Sequence, residues 1–405
     1  GDSIQTVTTA YPATAYAPPL HPEDLGDPQF KKAHKLRYAY VAGAMANGIT
    51  SIRMVEEAGR SGLVGFFGAA GLSLNEIEAA IDQLKSRMET IPFGFNLIHS
   101  PGDPEFEAAT VRLYLKHGVR LVSASAYLDI TAPLVLYRIK GIHTDPKGNV
   151  ICPNKIIAKV SRIEVAKKFF SPPSDKLLAQ LLEKRLISPQ EATLAKKIPL
   201  VEDLTAEADS GGHTDNRPAL ALLPTMLALR DEMRQLYENK QSIRIGLGGG
   251  IATPVSTAAA FAMGAAYVLT GSINQSCIES GTSDTVRRML AEAEQADVSM
   301  APAADMFEMG VKVQVLKRGT LFPFRAAKLY ELYCNYDNFE SIPEKQKTLL
   351  ERDYFKTGFE TAWDRTKMYF LTRDPKQIQR AEADPKHKMA LVFRSYLGQS
   401  SIWAN

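Results

Sequence analysis

From Tyr38 onward the chain repeats one pattern: a short apolar run, a polar or Gly-rich turn, then a segment with apolar positions at helical spacing. The strand candidates are Tyr38–Ala44, Leu63–Phe67, Phe93–Leu97, Leu121–Ala124, Ile156–Val160, Val201–Glu207, Ile243–Ile245 and Tyr267–Leu269. Helices are expected over Ser51–Ala58, from Ser73, from Asp103-Pro104 to near Gly118, and over Pro133–Lys140, Val165–Phe170 and Pro224–Asn239. Ser73-x-x-Glu76 is a capping box, and Ile77, Ala80, Ile81, Leu84 and Met88 behind it share one face. Thr253 can cap a further helix whose first turn suits Pro254, with Val255, Ala258, Ala259, Ala262 and Met263 as its apolar stripe. Strand–helix alternation implies a parallel sheet, and eight units in order predict an α/β fold, a closed (β/α)8 TIM barrel. A doubly wound sheet is the fallback.

Two stretches exceed a minimal barrel. Residues 171–199 read as a helical insertion after strand five, its second helix opened by Ser188-Pro189-x-Glu191. Residues 276–405 are mostly helical in pattern and form a candidate substrate or lid subdomain over the barrel mouth. That leaves 1–30 as an irregular N-terminal arm and 31–275 as the barrel. Gly1-Asp2-Ser3 without an initiating Met suggests an excised or tagged chain.

Composition removes several function classes. A net charge of +3 in 405 residues offers no global attraction for nucleic acid. No apolar run approaches the roughly 18 residues that span a bilayer, so no membrane role is expected. Cys152, Cys277 and Cys334 show no C-x-x-C spacing; buried thiols in a reducing cytoplasm are the expectation for all three. A homodimer is left open.

The chemistry gathers at strand ends, where barrel active sites lie. Ile245-Gly246-Leu247-Gly248-Gly249-Gly250 and Thr270-Gly271-Ser272 close the last two strands around one helix start. Glycine lets the backbone approach an anion with its N–H groups forward, so this pair reads as a phosphate site. The phosphate is that of flavin mononucleotide or of a phosphorylated substrate. A dinucleotide fingerprint fails, because Ile251 takes the sixth position of G-x-G-x-x-G. Strand one ends in Gly43-Ala44-Met45, small enough to lie against a flat ring, strand three in Asn96, and strand four in Ser123-Ala124-Ser125. Lys159 interrupts apolar strand five, facing either the polar mouth or an ion-pair partner. Strand six ends in Glu207-Ala208-Asp209-Ser210-Gly211-Gly212-His213, where a His beside carboxylates suits proton transfer near neutral pH. Metal-ligand spacings are absent, so no metal is expected.

These motifs resemble a known family. Glu207-Ala208 with Gly211-Gly212-His213, Gly248-Gly249-Gly250-Ile251-Ala252 and Thr270-Gly271-Ser272 are similar to the flavin barrel of nitronate monooxygenases and FMN-dependent enoyl reductases. Gly94-Phe95-Asn96-Leu97-Ile98-His99-Ser100-Pro101, Ile157-Ala158-Lys159-Val160-Ser161-Arg162, Gly212-His213-Thr214-Asp215-Asn216-Arg217-Pro218 and Gly271-Ser272-Ile273-Asn274-Gln275 resemble more closely the trans-acting enoyl reductases of polyketide and polyunsaturated fatty acid synthases. One departure is that Asp209-Ser210 separates Ala208 from the glycines, where simpler flavin reductases have Glu-Ala-Gly-Gly-His.

The resemblance implies FMN in the mouth, NADPH as reductant and an enoyl thioester on an acyl carrier protein as substrate. It implies that Ala44, Met45, Asn96, Ser123, Lys159 and Glu207 line the flavin. Gly212, Gly249, Gly250, Gly271 and Ser272 would hold its phosphate, and His213 or Lys159 would donate the proton. The rival expectations are a nitronate monooxygenase-type oxidase, a non-catalytic flavin-binding docking subunit of a synthase, and a flavin-free phosphosugar barrel.

Overall fold

A computed structural model describes residues 19–101, 103–237 and 243–402. Eight parallel strands close into a barrel: β1 (Tyr40–Ala42), β2 (Val64–Phe67), β3 (Phe93–Ile98), β4 (Leu121–Ser125), β5 (Lys155–Val160), β6 (Asp203–Glu207), β7 (Arg244–Gly248) and β8 (Val268–Thr270). Their ring order is their chain order, and β8 returns to β1 with Val268 opposite Tyr40. The closed barrel, not the doubly wound sheet, is the fold.

Successive strand residues face opposite sides, so each strand sends every other residue inward. Val41, Phe66, Leu121, Ile157 and Leu269 meet there with Phe30 and Tyr267 in one buried cluster. Two glycines make the room: a Cβ on Gly94 would fall 2.4 Å from the Phe66 ring, and one on Gly246 would fall 2.3 Å from Tyr267. The other parity packs on the helices. In Leu74–Met88, Ile77, Ala80, Ile81, Leu84 and Met88 are all buried, and the capping box of Ser73 and Glu76 is formed.

The N-terminal end of the barrel is plugged. Helix Pro28–His34, capped by Asp27, starts inside the stretch expected to be irregular, while residues 1–18 lie outside the described residues. Phe30 stacks on Tyr267 with centroids 4.1 Å apart. His34 reaches Asp203 at 2.8 Å, and Arg244 donates to both Asp203 oxygens at 2.6 and 2.9 Å.

Beyond the barrel, the predicted insertion is a helical pair, Asp175–Glu183 and Pro189–Ala195. Its Glu191 carboxylate accepts from Gly141 N–H at 2.8 Å, which ties it to the preceding βα unit. After β8 the chain is mainly helical, around a second core that includes Phe307, Leu332, Trp363 and Phe393. It also holds two strands, β9 (Val298–Pro302) and β10 (Lys312–Leu316), which the helical expectation missed. They pair antiparallel, and β10 adds the two-residue strand Gly212–His213. An exposed hairpin, His143–Thr144 with Val150–Ile151, was also unforeseen.

Three local expectations need correcting. The stripe on helix Pro254–Ala262 points outward: Val255 is 78% exposed, and Ala260 is that helix's buried residue. Helix Ala219–Leu236 begins five residues before Pro224, which therefore lies in its interior. The carbonyl that Pro224 leaves unbonded belongs to Leu220, whose 78% exposure allows water to take it. Only Cys152 is a buried thiol; Cys277 lies just past β8 and Cys334 on an outer helix face, both exposed.

Burial alone would raise the Asp203 pKa, but the bonds from His34 and Arg244 override it and hold the carboxyl at about 2. A depressed carboxyl pKa stabilises the fold above the unfolded value near 3.8, and that contribution is lost as pH falls toward 2. Asp203→Asn should cost about 3–5 kcal/mol in urea unfolding at pH 7, because it leaves Arg244 buried without its counter-ion. The deficit relative to the native chain should shrink in acid.

Candidate active site

The strand parity that places Leu121 and Ile157 inside the barrel places Ser123, Lys159, Thr205 and Glu207 above them on the same side. Thr205 bonds the Tyr267 hydroxyl at 2.9 Å and forms the boundary between apolar interior and polar mouth. Lys159 Nζ sits 2.7 Å from Glu207 Oε1, each side chain about one-fifth exposed. The two sequence alternatives for Lys159 are therefore both realised: it faces the mouth and is ion-paired there.

Asn96 is buried within β3, and its Nδ2 donates to the Ser123 carbonyl at 3.2 Å and the Ser125 hydroxyl at 3.4 Å. The Ser123 hydroxyl is buried without a hydrogen-bond partner among the described residues. Leaving such a group unpaired costs roughly 1–3 kcal/mol, and Arg138 Nε, Thr282 Oγ1 and Gln346 Oε1 are the other buried unpaired side-chain atoms among the described residues. Ala44 and Met45 follow β1. Met45 N–H donates to Thr50 Oγ1 at 2.9 Å, and the Met45 carbonyl lies where a Gly68 Cβ would sit, 1.6 Å away.

The glycine clusters meet across three strand ends. Gly249, at φ +94°, packs so close that a Cβ would lie 2.6 Å from the carbonyl oxygens of Ala208 and Asp209. A Cβ on Gly211 would lie 2.5 Å from Ser272 Oγ. Gly212 and Gly250 also have positive φ, but their Cβ positions face open space. Gly271 is nearly as open, with Met45 at 4.0 Å. Among the described residues, the N–H groups of Gly250 and Ile251 have no backbone acceptor. An open, glycine-lined cradle with free donors fits a phosphate.

His213 sits at the rim, not against Lys159 and Glu207. Its Nε2 is 3.0 Å from Asp305 Oδ1, a residue 92 positions away that the sequence reading missed. Nothing local signals this pair; β10 brings it about by placing Val313 opposite His213. The bond to Asp305 lifts the imidazole pKa above its ordinary value against the opposing effect of burial, with Glu207 reinforcing and Lys159 opposing. The loop after β6 is anchored too, since Asp215 accepts from Arg162 Nε at 3.0 Å and Nη2 at 3.1 Å. Two of the motifs noted in the sequence, at the ends of β5 and β6, are thus physically joined.

A second histidine, quoted in the sequence only as part of the Gly94–Pro101 motif, was assigned no role there. His99 follows β3, and its Nδ1 lies 3.2 Å from the buried Glu107 carboxylate, which also accepts from the Tyr127 hydroxyl at 3.1 Å and from Thr131.

A closed eight-stranded parallel barrel with a polar upper layer and an open glycine cradle defines a class, and the chain belongs to the nitronate monooxygenase family, whose model matches residues 28–332. A second model, the inserted helical domain of acyl-carrier-protein S-malonyltransferase, matches residues 336–405. Individual relatives narrow the position. The chain is 46% identical over 380 residues to the polyketide biosynthesis protein PksE of Bacillus subtilis, covering 94% of this chain and 49% of that protein. It is 45% identical over 386 residues to a polyunsaturated fatty acid synthase protein of Thraustochytrium sp., covering 94% of this chain and 26% of that protein. It therefore spans about half or less of the length of these relatives.

Among solved structures, the enoyl reductase domain of MlnA from the macrolactin cluster of Bacillus amyloliquefaciens matches with a TM-score of 0.90 at 41% identity. That match covers 94% of this chain and 86% of that one. FabK from Thermotoga maritima, at 16% identity and a TM-score of 0.52, covers 93% of this chain and 97% of that one and shares the fold. The resemblance read from the motifs holds at the level of family and relatives. Among the described residues no helix is long and apolar enough to cross a membrane.

The two cradle glycines should respond differently to alanine. Gly250→Ala adds only backbone strain at φ +72°, about 1–2 kcal/mol. Gly249→Ala adds a collision with two carbonyl oxygens and should cost clearly more in urea unfolding. Equal losses would mean that β6 and β7 do not pack as described.

Proposed function

We propose that this chain is an NADPH- and FMN-dependent enoyl reductase that saturates the 2,3 double bond of enoyl thioesters on an acyl carrier protein, in polyketide or polyunsaturated fatty acid biosynthesis. The observation that carries the reading is the polar layer at the barrel mouth beside the glycine cradle, with the Ser123 hydroxyl buried and unpaired. The similarity to the MlnA enoyl reductase domain supports the reaction, the relatives support a place in polyketide or polyunsaturated fatty acid biosynthesis, and action in trans on a carrier-bound substrate is what the motif resemblance implies.

In this reading Gly212, Gly249, Gly250, Gly271 and Ser272 hold the FMN phosphate, while Ala44, Met45, Asn96 and Ser123 present backbone and polar groups to the ring. FMN, when bound by these residues, would supply the hydride-transfer chemistry between NADPH and the β-carbon of the enoyl thioester. Lys159 and Glu207 pair 2.7 Å apart in the mouth, so that bound FMN would meet a cation there without a net charge. His213 donates a proton to the α-carbon, completing the addition of two hydrogens, and is reprotonated from solvent. Asp305 keeps that imidazole protonated further into the neutral range.

His213→Ala should lower turnover about 100-fold or more while FMN content stays unchanged. Loss of FMN with intrinsic turnover preserved would contradict the acid role. An anaerobic absorbance experiment tests the reaction: the flavin band should bleach with NADPH and return on adding a crotonyl thioester. Return only with oxygen would favour a nitronate monooxygenase-type oxidase, and failure to bleach would favour a non-catalytic flavin-binding docking subunit.

A further inference from the structure

The residues fixing His213 come from two separate stretches of the C-terminal region. The strand Gly212–His213 is held by β10, and the segment between β9 and β10 carries Asp305. That segment is clamped by the last helix, Pro385–Ile402. Arg394 Nε donates to the Ala304 carbonyl at 2.9 Å, and its Nη2 donates to the Asp305 carbonyl at 3.4 Å. Arg394 Nη1 also lies 3.6 Å from Glu308 Oε2. Three residues beyond Asp305, Glu308 meets His387 Nδ1 at 2.8 Å, and Nε2 of that histidine bonds Gln377 at 2.8 Å. His387 is 1% exposed, so this second anchor is buried where the first is only partly so.

These contacts cross the boundary between the two family matches. Asp305 and His213 lie within residues 28–332, while Arg394, His387 and Gln377 lie within 336–405. We infer that Arg394, with the pair of buried His387 and partly exposed Glu308, is a positioning residue that holds the 303–309 segment so that Asp305 meets His213. The helical C-terminal region is then a structural part of the site, in addition to any role in receiving substrate. The significance for catalysis rests on the proposed acid role of His213; the positioning itself does not.

An exposed pair has little strength of its own. The His213 and Asp305 side chains are 46% and 59% exposed, and ion pairs this open to water contribute little stability on their own. Such a contact persists only where the backbone presents both partners already aligned. Arg394 bonds two successive carbonyls, at Ala304 and Asp305, and so fixes the direction in which the Asp305 side chain leaves the loop. The charged groups facing His213 are Asp305 from this segment and Glu207 and Lys159 from the barrel. Those facing Glu308 are His387, Arg394 and Arg380.

The test is the His213 titration, followed by proton–carbon NMR of the imidazoles in the purified full chain without substrates, the resonance being assigned by its loss in His213→Ala. Asp305→Asn should bring the titration down toward the ordinary imidazole value of 6.5, and Arg394→Ala should do the same although the charge it removes is a cation, whose loss alone would raise the midpoint. Arg394→Lys should retain part of the elevation. If Arg394→Ala fails to fold, Glu308→Gln tests the same clamp through its second anchor and should also lower the midpoint. An unchanged midpoint in a folded Arg394→Ala or Glu308→Gln chain, with Asp305→Asn lowered, overturns the inference; an unchanged midpoint in Asp305→Asn overturns it too. No outcome depends on turnover, so failure of the reductase reading would be seen separately, in the absorbance cycle.

Discussion

Closure of the parallel sheet is the constraint on which the rest depends. Once β8 pairs with β1, every strand residue is committed to the barrel interior or to the helix layer, and a shift of one position would exchange the two. The inward residues then form two layers by necessity. The lower one is apolar, is sealed by Phe30 on Tyr267, and rests on the buried charged group of Asp203, Arg244 and His34 at the barrel's N-terminal end. The upper one is polar because it ends at the mouth. Lys159 and Glu207 are tolerable there because each neutralises the other, and the Ser123 hydroxyl stands out because nothing does the same for it.

Glycine serves this closed geometry in three distinct ways. Gly94 and Gly246 have no Cβ because large rings, Phe66 and Tyr267, need that volume inside the barrel. Gly249 and Gly211 have none because adjacent strand ends approach too closely, whereas Gly212 and Gly250 open outward. Only the last kind leaves space for a ligand. The cradle is thus a consequence of three strand ends converging, held from outside by the Arg162–Asp215 and Tyr40–Asn274 bonds.

Much of this was legible in the chain, for a physical reason. Each barrel strand is a short apolar run bounded by turn residues, and all eight were placed within a few positions. The glycine clusters and His213 were visible because they follow strands directly. The stripe of Val255, Ala258, Ala259 and Ala262 misled because small residues suit either side of a helix; here the helix packs through Ala260 and leaves Val255 exposed. Asp305 was invisible for a different reason. Its meeting with His213 depends on β10 pairing with a two-residue strand, too short to carry a period. His99 was overlooked because its partner, Glu107, lies on the following helix, and a His–Glu spacing of eight residues has no signature of its own.

The central claim is that the polar layer and the glycine cradle form a single FMN site. Titration of the flavin-stripped full chain with FMN, followed by flavin fluorescence, tests it most directly. The account predicts saturation at one FMN per chain, weakened at least tenfold by Gly249→Ala, with free riboflavin binding far more weakly because it lacks the phosphate. No saturable binding, or equal affinity for FMN and riboflavin, would contradict it.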